Sequence, residues 1–324
     1  MSLENNAAYI PTMNLFATHW GQVNTALAAP LIIGTPGNTP MAHADFITLR
    51  DTLGTQFGVV VDRINEEEIA RGNINLQKAA LLDYFHEFNG LLDGYYAGTA
   101  FVNARAYAPK LGAGEETFIN PMRDTASLWG KMNAASAPAG VTLPLELADG
   151  TAVADFTALI ATLRDQYGAE AAASQDAALA RSTRDKTKDL AKAVMVAYRT
   201  VVPARCAQFP ELVETLPRVT PLPGHTPAPA SASAIFEAPA SAKVVYDAST
   251  DATLSHYELR GNPGDEYREE DAVVIANNLP AAPREFTTTM GLTQPGAQVA
   301  LKVYVILTTG NESGSAEMVV TRPL

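Results

Sequence analysis

Residues 9–24 read YIPTMNLFATHWGQVN, and residues 118–133 read FINPMRDTASLWGKMN. At a constant offset of 109 the two stretches pair Tyr9 with Phe118, Ile10 with Ile119, Met13 with Met122, Trp20 with Trp129, Gly21 with Gly130 and Asn24 with Asn133. One residue further on the offset becomes 110. Ala44-Asp45-Phe46 then matches Ala154-Asp155-Phe156, Leu53 matches Leu163, Ala70-Arg71 matches Ala180-Arg181, Lys78 matches Lys188 and Phe88 matches Tyr198. The chain holds two tryptophans, and they occupy equivalent places. A fixed offset sustained over so many positions is the signature of an internal repeat. Residues 1–117 and 118–216 are read as two copies of one unit, packed together as one bundle.

Each copy reads as helical. The first segment sets Leu15, Phe16, His19, Trp20, Val23 and Leu27 at helical spacing, and its partner does so with Leu128, Trp129 and Met132. Turn chemistry follows, as Gly34-Thr-Pro36-Gly37-Asn38 in one copy and Asp149-Gly150 in the other, the latter placed as in a hairpin. From Asp45 and Asp155 a long pattern begins. Phe46, Leu53, Val60, Ile74, Leu81, Phe88 and Tyr95 keep one seven-residue phase, broken by Glu67. The second copy keeps Phe156, Leu163, Ala177, Ala191 and Tyr198 in phase, with polar Glu170 and Arg184 between them. One long helix per copy is the favoured reading, each on the order of 70 Å at 1.5 Å per residue. The alternative is a helical hairpin turning at Arg71-Gly72-Asn73 and at Arg181-Ser182-Thr183.

Residues 217–233, PRVTPLPGHTPAPASAS, interrupt this pattern. Proline and small polar residues make an extended, semi-rigid linker and hence a domain boundary. Beyond it the period switches to two: Lys243–Tyr246, His256–Arg260, Ala272–Ala276, Glu285–Thr289, Val299–Ile306 and Ala316–Val320 are short runs separated by turn formers. Several short strands in about 90 residues indicate a β-sandwich. The fold class is therefore multidomain α + β: an internally duplicated long-helix bundle followed by a sandwich at 234–324.

Gly291-Leu292-Thr-Gln-Pro295-Gly296, then Leu301-Lys-Val-Tyr304-Val-Ile and Thr309-Gly310-Asn-Glu312-Ser313, resembles the end of a fibronectin type III domain. Asp251-Ala-Thr-Leu254-Ser-His-Tyr257 similarly resembles the entry to its strand C. The resemblance implies that Leu292, Tyr257 and Tyr304 enter the sandwich core, with Lys302 at a rim. The chain departs from the family at strand B, where Val244, Val245 and Tyr246 stand in place of a tryptophan. The duplicated helical region followed by such a domain also resembles uncharacterised bacterial proteins of the same layout. A fold of this kind is nearly silent on function.

Composition narrows the classes. Hydrophobic residues make up 47%, enough for real cores, and 35 acids against 23 bases give a net charge of −12. Such a surface repels phosphate backbones and anionic lipid, so nucleic acid and membrane surfaces are poor partners, and no apolar run approaches the roughly 20 residues needed to span a bilayer, so no membrane insertion is expected. Met-Ser-Leu-Glu-Asn-Asn has neither a basic nor an apolar leader region, so a cytoplasmic chain is expected, with release by a non-classical route left open. The single Cys206 allows no internal disulfide and reads as a buried, inert thiol.

Residues that carry chemistry do not converge. His19, His43, His86, His225 and His256 are far apart, with no metal-ligand spacing, and no phosphate loop, dinucleotide fingerprint or nucleophile elbow occurs. Glu66-Glu67-Glu68 with Arg63 and Arg71, and the group Arg181, Arg184, Asp185, Lys186, Lys188 and Asp189, read as solvated faces or inter-helix ion pairs. Arg260-Gly261-Asn262 reads as a strand end. The paired positions Trp20, Trp129, Asn24, Asn133, Phe46, Phe156, Phe88 and Tyr198 are read as structural. No catalytic, cofactor-binding or metal residue is assigned, and no cofactor is implied. The expected function is a non-enzymatic structural protein that self-assembles into a homo-oligomer or filament, with the sandwich decorating or bridging subunits. A monomeric module that recognises a protein or carbohydrate through its loops is the alternative.

Overall fold

A computed structural model of the chain describes residues 6–35, 39–220 and 224–323. Among the described residues six helices come first: α1 (Asn6–Ala26), α2 (His43–Tyr95), α3 (Ala100–Asn103), α4 (Glu115–Asn133), α5 (Val153–Arg205) and α6 (Pro210–Glu214). Both α2 and α5 run unbroken for 53 residues, so neither turns back at the positions where a hairpin was conceivable. Each starts with the same device. The Asp45 carboxylate accepts from the Ala42 N–H at 3.0 Å, and Asp155 from the Ala152 N–H at 3.0 Å, satisfying a donor that no helical carbonyl reaches. The turn expected at 36–38 and the linker prolines Pro221 and Pro223 lie outside the described residues.

The chain divides into two compact units whose boundaries fall inside the long helices, at 68/69 and 173/174. The compact units therefore cut across the two sequence copies. The unit formed by 1–68 and 174–324 holds a core of Phe16, Trp20, Phe46, Leu53, Ala191, Met195, Tyr198 and Val202. The unit formed by 69–173 holds a core of Leu81, Phe85, Phe88, Trp129, Phe156 and Leu163. In each, a short helix packs against the beginning of its own long helix and the end of the other one. Trp20 lies 5.6 Å from Phe46 and 4.9 Å from Tyr198, ring centre to ring centre. Trp129 lies 5.9 Å from Phe156 and 5.1 Å from Phe88. Each tryptophan thus meets its own long helix and the end of the other one as well.

The paired positions recur in detail. Trp20 Nε1 donates to the Leu31 carbonyl at 3.2 Å, and Trp129 Nε1 to the Leu145 carbonyl at 3.0 Å. Asn24 Oδ1 accepts from the Leu31 N–H, and Asn133 Oδ1 from the Leu145 N–H, both at 2.8 Å. Lys188 lies over the Tyr9 ring and Lys78 over the Phe118 ring. The Asp149-Gly150 turn is closed by the Leu147 N–H to the Thr151 carbonyl, without flanking strands, while the first copy carries an isolated antiparallel bridge between Ile33 and Met41. Towards the end of α2 the seven-residue phase drifts: Phe88 is still buried, but Tyr95 is 51% exposed, and Phe85, Leu92 and Tyr96 are buried instead. A straight helix turns by about 20° per heptad relative to a strict seven-residue repeat, which moves the buried stripe sideways.

Eight strands follow among the described residues: β1 (Ala232–Glu237), β2 (Ser241–Tyr246), β3 (Leu254–Pro263), β4 (Val273–Asn278), β5 (Glu285–Thr288), β6 (Gln298–Leu307), β7 (Glu312–Gly314) and β8 (Met318–Thr321). They form two antiparallel sheets, β1-β2-β5 and β4-β3-β6-β7, with β8 also on β6. This is a fibronectin type III-like sandwich, and its first strand starts two residues before the boundary set at 234. Tyr246, at the place of the strand B tryptophan, stacks on Phe286 at 5.1 Å and lies 4.7 Å from Tyr257. Aromatic area at that place is preserved by three smaller rings.

Candidate functional site

Strand β6 reads Val299-Ala-Leu-Lys-Val-Tyr-Val-Ile-Leu307, and eight of these nine residues are buried, Lys302 being intermediate. A strand with one solvated face alternates; a strand covered on both faces does not. Val299, Leu301, Val303, Val305 and Leu307 enter the inter-sheet core together with Leu292 and Tyr257. Tyr304 does not. It lies on the opposite, outer face with Ala300 and Ile306, beneath Tyr267 and Ala272. The placement of Tyr304 in the sandwich core is therefore corrected: the 264–272 segment folds over the outer face and supplies its cover. Lys302 shares that face, its Nζ 4.5 Å from the centre of the Tyr267 ring.

The outer face carries a buried charge network. Arg260, 2% exposed, donates to Glu258 Oε2 at 2.8 and 2.6 Å and to both Glu312 oxygens at 3.0 and 2.7 Å, and lies 4.0 Å above the Tyr304 ring. The Tyr304 hydroxyl donates to Glu269 at 2.6 Å, and His256 Nε2 lies 3.1 Å from Glu258 Oε1. Burial alone would raise the Glu258 pKa, but the His256 hydrogen bond and the Arg260 charge outweigh it, so the carboxyl stays below its ordinary value. Burial pushes the Tyr304 and Tyr267 hydroxyls well above their ordinary range, so both remain neutral donors.

The same face is joined to the helices of its unit. Asp271 receives Arg181 Nε at 3.0 and 2.9 Å and Arg184 Nη1 at 3.3 Å, and the side chains of Asp271 and Arg184 are each 1% exposed. Arg184 Nε also donates to Asp185 at 3.0 Å, whereas Arg184 Nη2 has no hydrogen-bond partner among the described residues. Two guanidiniums on one buried carboxylate fix position more than they add stability, because desolvation consumes most of the Coulomb gain. At the start of α1, Asn6 Nδ2 donates to the Glu270 carbonyl. The linker is tied as well: Arg199 donates to the Pro217 carbonyl, and His225 hydrogen-bonds Asp251. The sandwich is thus docked on α5 and α1 of its own chain rather than carried on a loose tether.

Beside this junction lies a cleft of about 300 Å³ lined by Asn6, Ala7, Ile10, Pro11 and Phe57 from the helices and by Glu258, Val273, Val274 and Asn277 from the sandwich. These residues, with Arg181, Arg184, Asp271 and Arg260, were not singled out together by the sequence. One signal was present: Arg184 stands on the apolar phase of α5, where the first copy has Ile74, and a cation on a buried stripe calls for a partner. The remaining expected residues serve the cores. His19 is buried, with Nδ1 2.7 Å from the Tyr198 hydroxyl and Nε2 2.8 Å from the Leu212 carbonyl. Cys206 is buried, and burial raises its thiol pKa. Among the described residues no group of three or more His, Cys, Asp or Glu is arranged to hold a metal ion, and no helix is long and apolar enough to cross a membrane.

No known protein family is matched by the chain, nor is any curated protein. Among solved structures, an Fn3-like protein from Clostridium thermocellum is 21% identical, with a TM-score of 0.23 over 31% of this chain and 97% of that one. Pectate lyase PelI from Erwinia chrysanthemi, in complex with tetragalacturonic acid, is 14% identical, with a TM-score of 0.24 over 28% of each chain. The FN1–FN3 domains of chicken CNTN1 are 12% identical, with a TM-score of 0.25 over 32% of each chain. The sandwich itself is defined by its strand order and register.

Proposed function

We propose that this chain is a non-enzymatic structural module, built by internal duplication, that self-associates and presents its sandwich in a fixed pose. The contacts that recur around Trp20 and Trp129 support the duplication. The observation that carries self-association is an exposed apolar pair on neighbouring helices of one unit. Val59 on α2 is 41% exposed and Leu179 on α5 is 66% exposed. They flank a groove of about 220 Å³ whose rim holds Arg63 and Asp176, 4.0 Å apart. Paired with a second copy about a two-fold axis, this patch covers its apolar centre and sets each Arg63 against an Asp176 across the contact, the self-complementarity that a symmetric interface requires. Docking by Asp271 then holds each sandwich at a set place on the assembly.

Light scattering on the full-length protein tests this reading. A species larger than the 34.4 kDa chain is expected, reduced to the monomer by Leu179→Glu. A monomer in the unsubstituted protein at micromolar concentration would leave the second reading, a monomeric binding module, which the cleft beside Phe57 favours.

A further inference from the structure

We infer that the cleft between α1 and β4 binds a small primary amine bearing an apolar group. The inference stands on the geometry of the cleft and is independent of self-association. Its walls divide by chemistry. Ile10, Pro11, Phe57, Val273 and Val274 supply an apolar surface from both the helices and the sandwich. The polar groups at its edge favour a donor. Asn6 is 4% exposed, and while its Nδ2 is committed to the Glu270 carbonyl, its Oδ1 has no hydrogen-bond partner among the described residues. An uncommitted buried acceptor is destabilising, and a ligand N–H relieves that cost.

Charge decides between a neutral donor and a cation. Glu258 lines the cleft, and its carboxylate shares Arg260 with Glu312 at 2.7 Å and with Glu269 at 3.8 Å. Glu258 Oε1 also lies 3.1 Å from His256 Nε2; three carboxylates against one guanidinium and that imidazole leave the neighbourhood acidic, on a chain whose net charge is −12. An ammonium adds a charge-assisted hydrogen bond to that neighbourhood, whereas a carboxylate ligand meets like charge. At about 300 Å³ the cleft is at the small end of ligand sites, which suits one ring or a short alkyl chain.

Calorimetric titration of the full-length protein with 2-phenylethylamine, 2-phenylethanol and 3-phenylpropionate tests the inference. The three share an apolar body and differ at the head. The amine is expected to bind about tenfold tighter than the alcohol, the factor one charge-assisted hydrogen bond supplies, and the carboxylate to bind weakest. Val274→Trp fills the cleft with apolar volume and is expected to abolish amine binding with the circular dichroism spectrum unchanged. Asn6→Leu removes the free acceptor, and with it the bond to the Glu270 carbonyl, while leaving the charge network in place; it is expected to weaken the amine and the alcohol alike and to keep the preference for the amine. Equal affinities for the three compounds, no heat from the amine at millimolar concentration, or amine binding that survives Val274→Trp would each overturn the inference.

Discussion

The two aromatic cores are alike in plan and different in polarity. Trp20 and Trp129 are both fully buried, each between an aromatic ring from the start of one long helix and one from the end of the other. Around Trp20 the neighbouring positions are His19 and Tyr198, hydrogen-bonded to each other. The corresponding positions around Trp129 are Leu128 and Phe88, which have no polar atoms to satisfy. The helical part that carries the sandwich therefore keeps polar groups on its buried stripes, as His19, Tyr198 and Arg184, where the other has Leu128, Phe88 and Ile74. The other core is not wholly apolar, since Lys78 is buried there with its Nζ donating to the Leu111 and Ala113 carbonyls at 3.2 and 2.7 Å. Buried polar groups appear where the helices must also be fixed to something else: Arg184 to Asp271 of the sandwich and His19 to the Leu212 carbonyl of α6.

The strongest test of the likeness is truncation of the tryptophans. Trp20→Ala and Trp129→Ala are each expected to cost about 3–5 kcal/mol in urea unfolding followed by circular dichroism, the range for deleting a large buried aromatic. Comparable losses support equivalent roles. A loss below about 1 kcal/mol at either site, where a surface substitution falls, breaks the comparison.

The strongest test of the difference is the junction. Asp271→Ala leaves the buried Arg184 with only the half-exposed Asp185 carboxylate, and removing one partner of a buried ion pair costs about 3–5 kcal/mol. Arg184→Ile combined with Asp271→Leu gives α5 the residue that α2 carries at Ile74. The double variant is expected to lose less than Asp271→Ala alone, since it replaces the buried Arg184–Asp271 pair by apolar groups and leaves only Arg181, whose side chain is 24% exposed and can turn to water. If the double variant loses as much as the single one, the pair holds the junction through more than its own compensation.

The sequence shows these regions unequally. The long helices and the sandwich are legible because each is a periodic pattern: the seven-residue phase and the alternation from Lys243 onward. The exchange of helix ends between cores is not legible, because Phe88 and Tyr198 keep the same phase whichever tryptophan they meet. Tyr304 misleads for a related reason. In an isolated sandwich an aromatic residue on β6 belongs inside, but here the 264–272 segment gives the outer face a second core. The cleft is invisible in the sequence, since its lining comes from Asn6, Phe57 and Val274, whose proximity depends on the docking by Asp271. Arg184 alone was a usable sign, as a cation in phase with Ala177 and Ala191.

The smallest expected effect is also the most selective. Burial lowers the His19 pKa from its ordinary value near 6.5, and the hydrogen bond to the Leu212 carbonyl only partly opposes it. With Nε2–H donating to that carbonyl, Nδ1 is left to accept from the Tyr198 hydroxyl, an arrangement of the neutral ring. In the unfolded chain His19 takes up a proton near its ordinary pKa, while the folded core resists it. The unfolded state then binds more protons, so this contribution to stability is complete above about pH 6.5 and declines as pH falls towards the folded pKa. Trp129→Phe leaves Trp20 as the sole tryptophan reporter of one core, and Trp20→Phe leaves Trp129 for the other. Between about pH 7.5 and about pH 5.5, a window that brackets the ordinary histidine pKa, the urea midpoint reported by Trp20 is expected to fall. His19→Leu, which copies Leu128, is expected to flatten that dependence, whether the two reporters move separately or together. A midpoint that still falls by the same amount in His19→Leu would place the titration elsewhere and remove pH sensitivity from the differences between the cores.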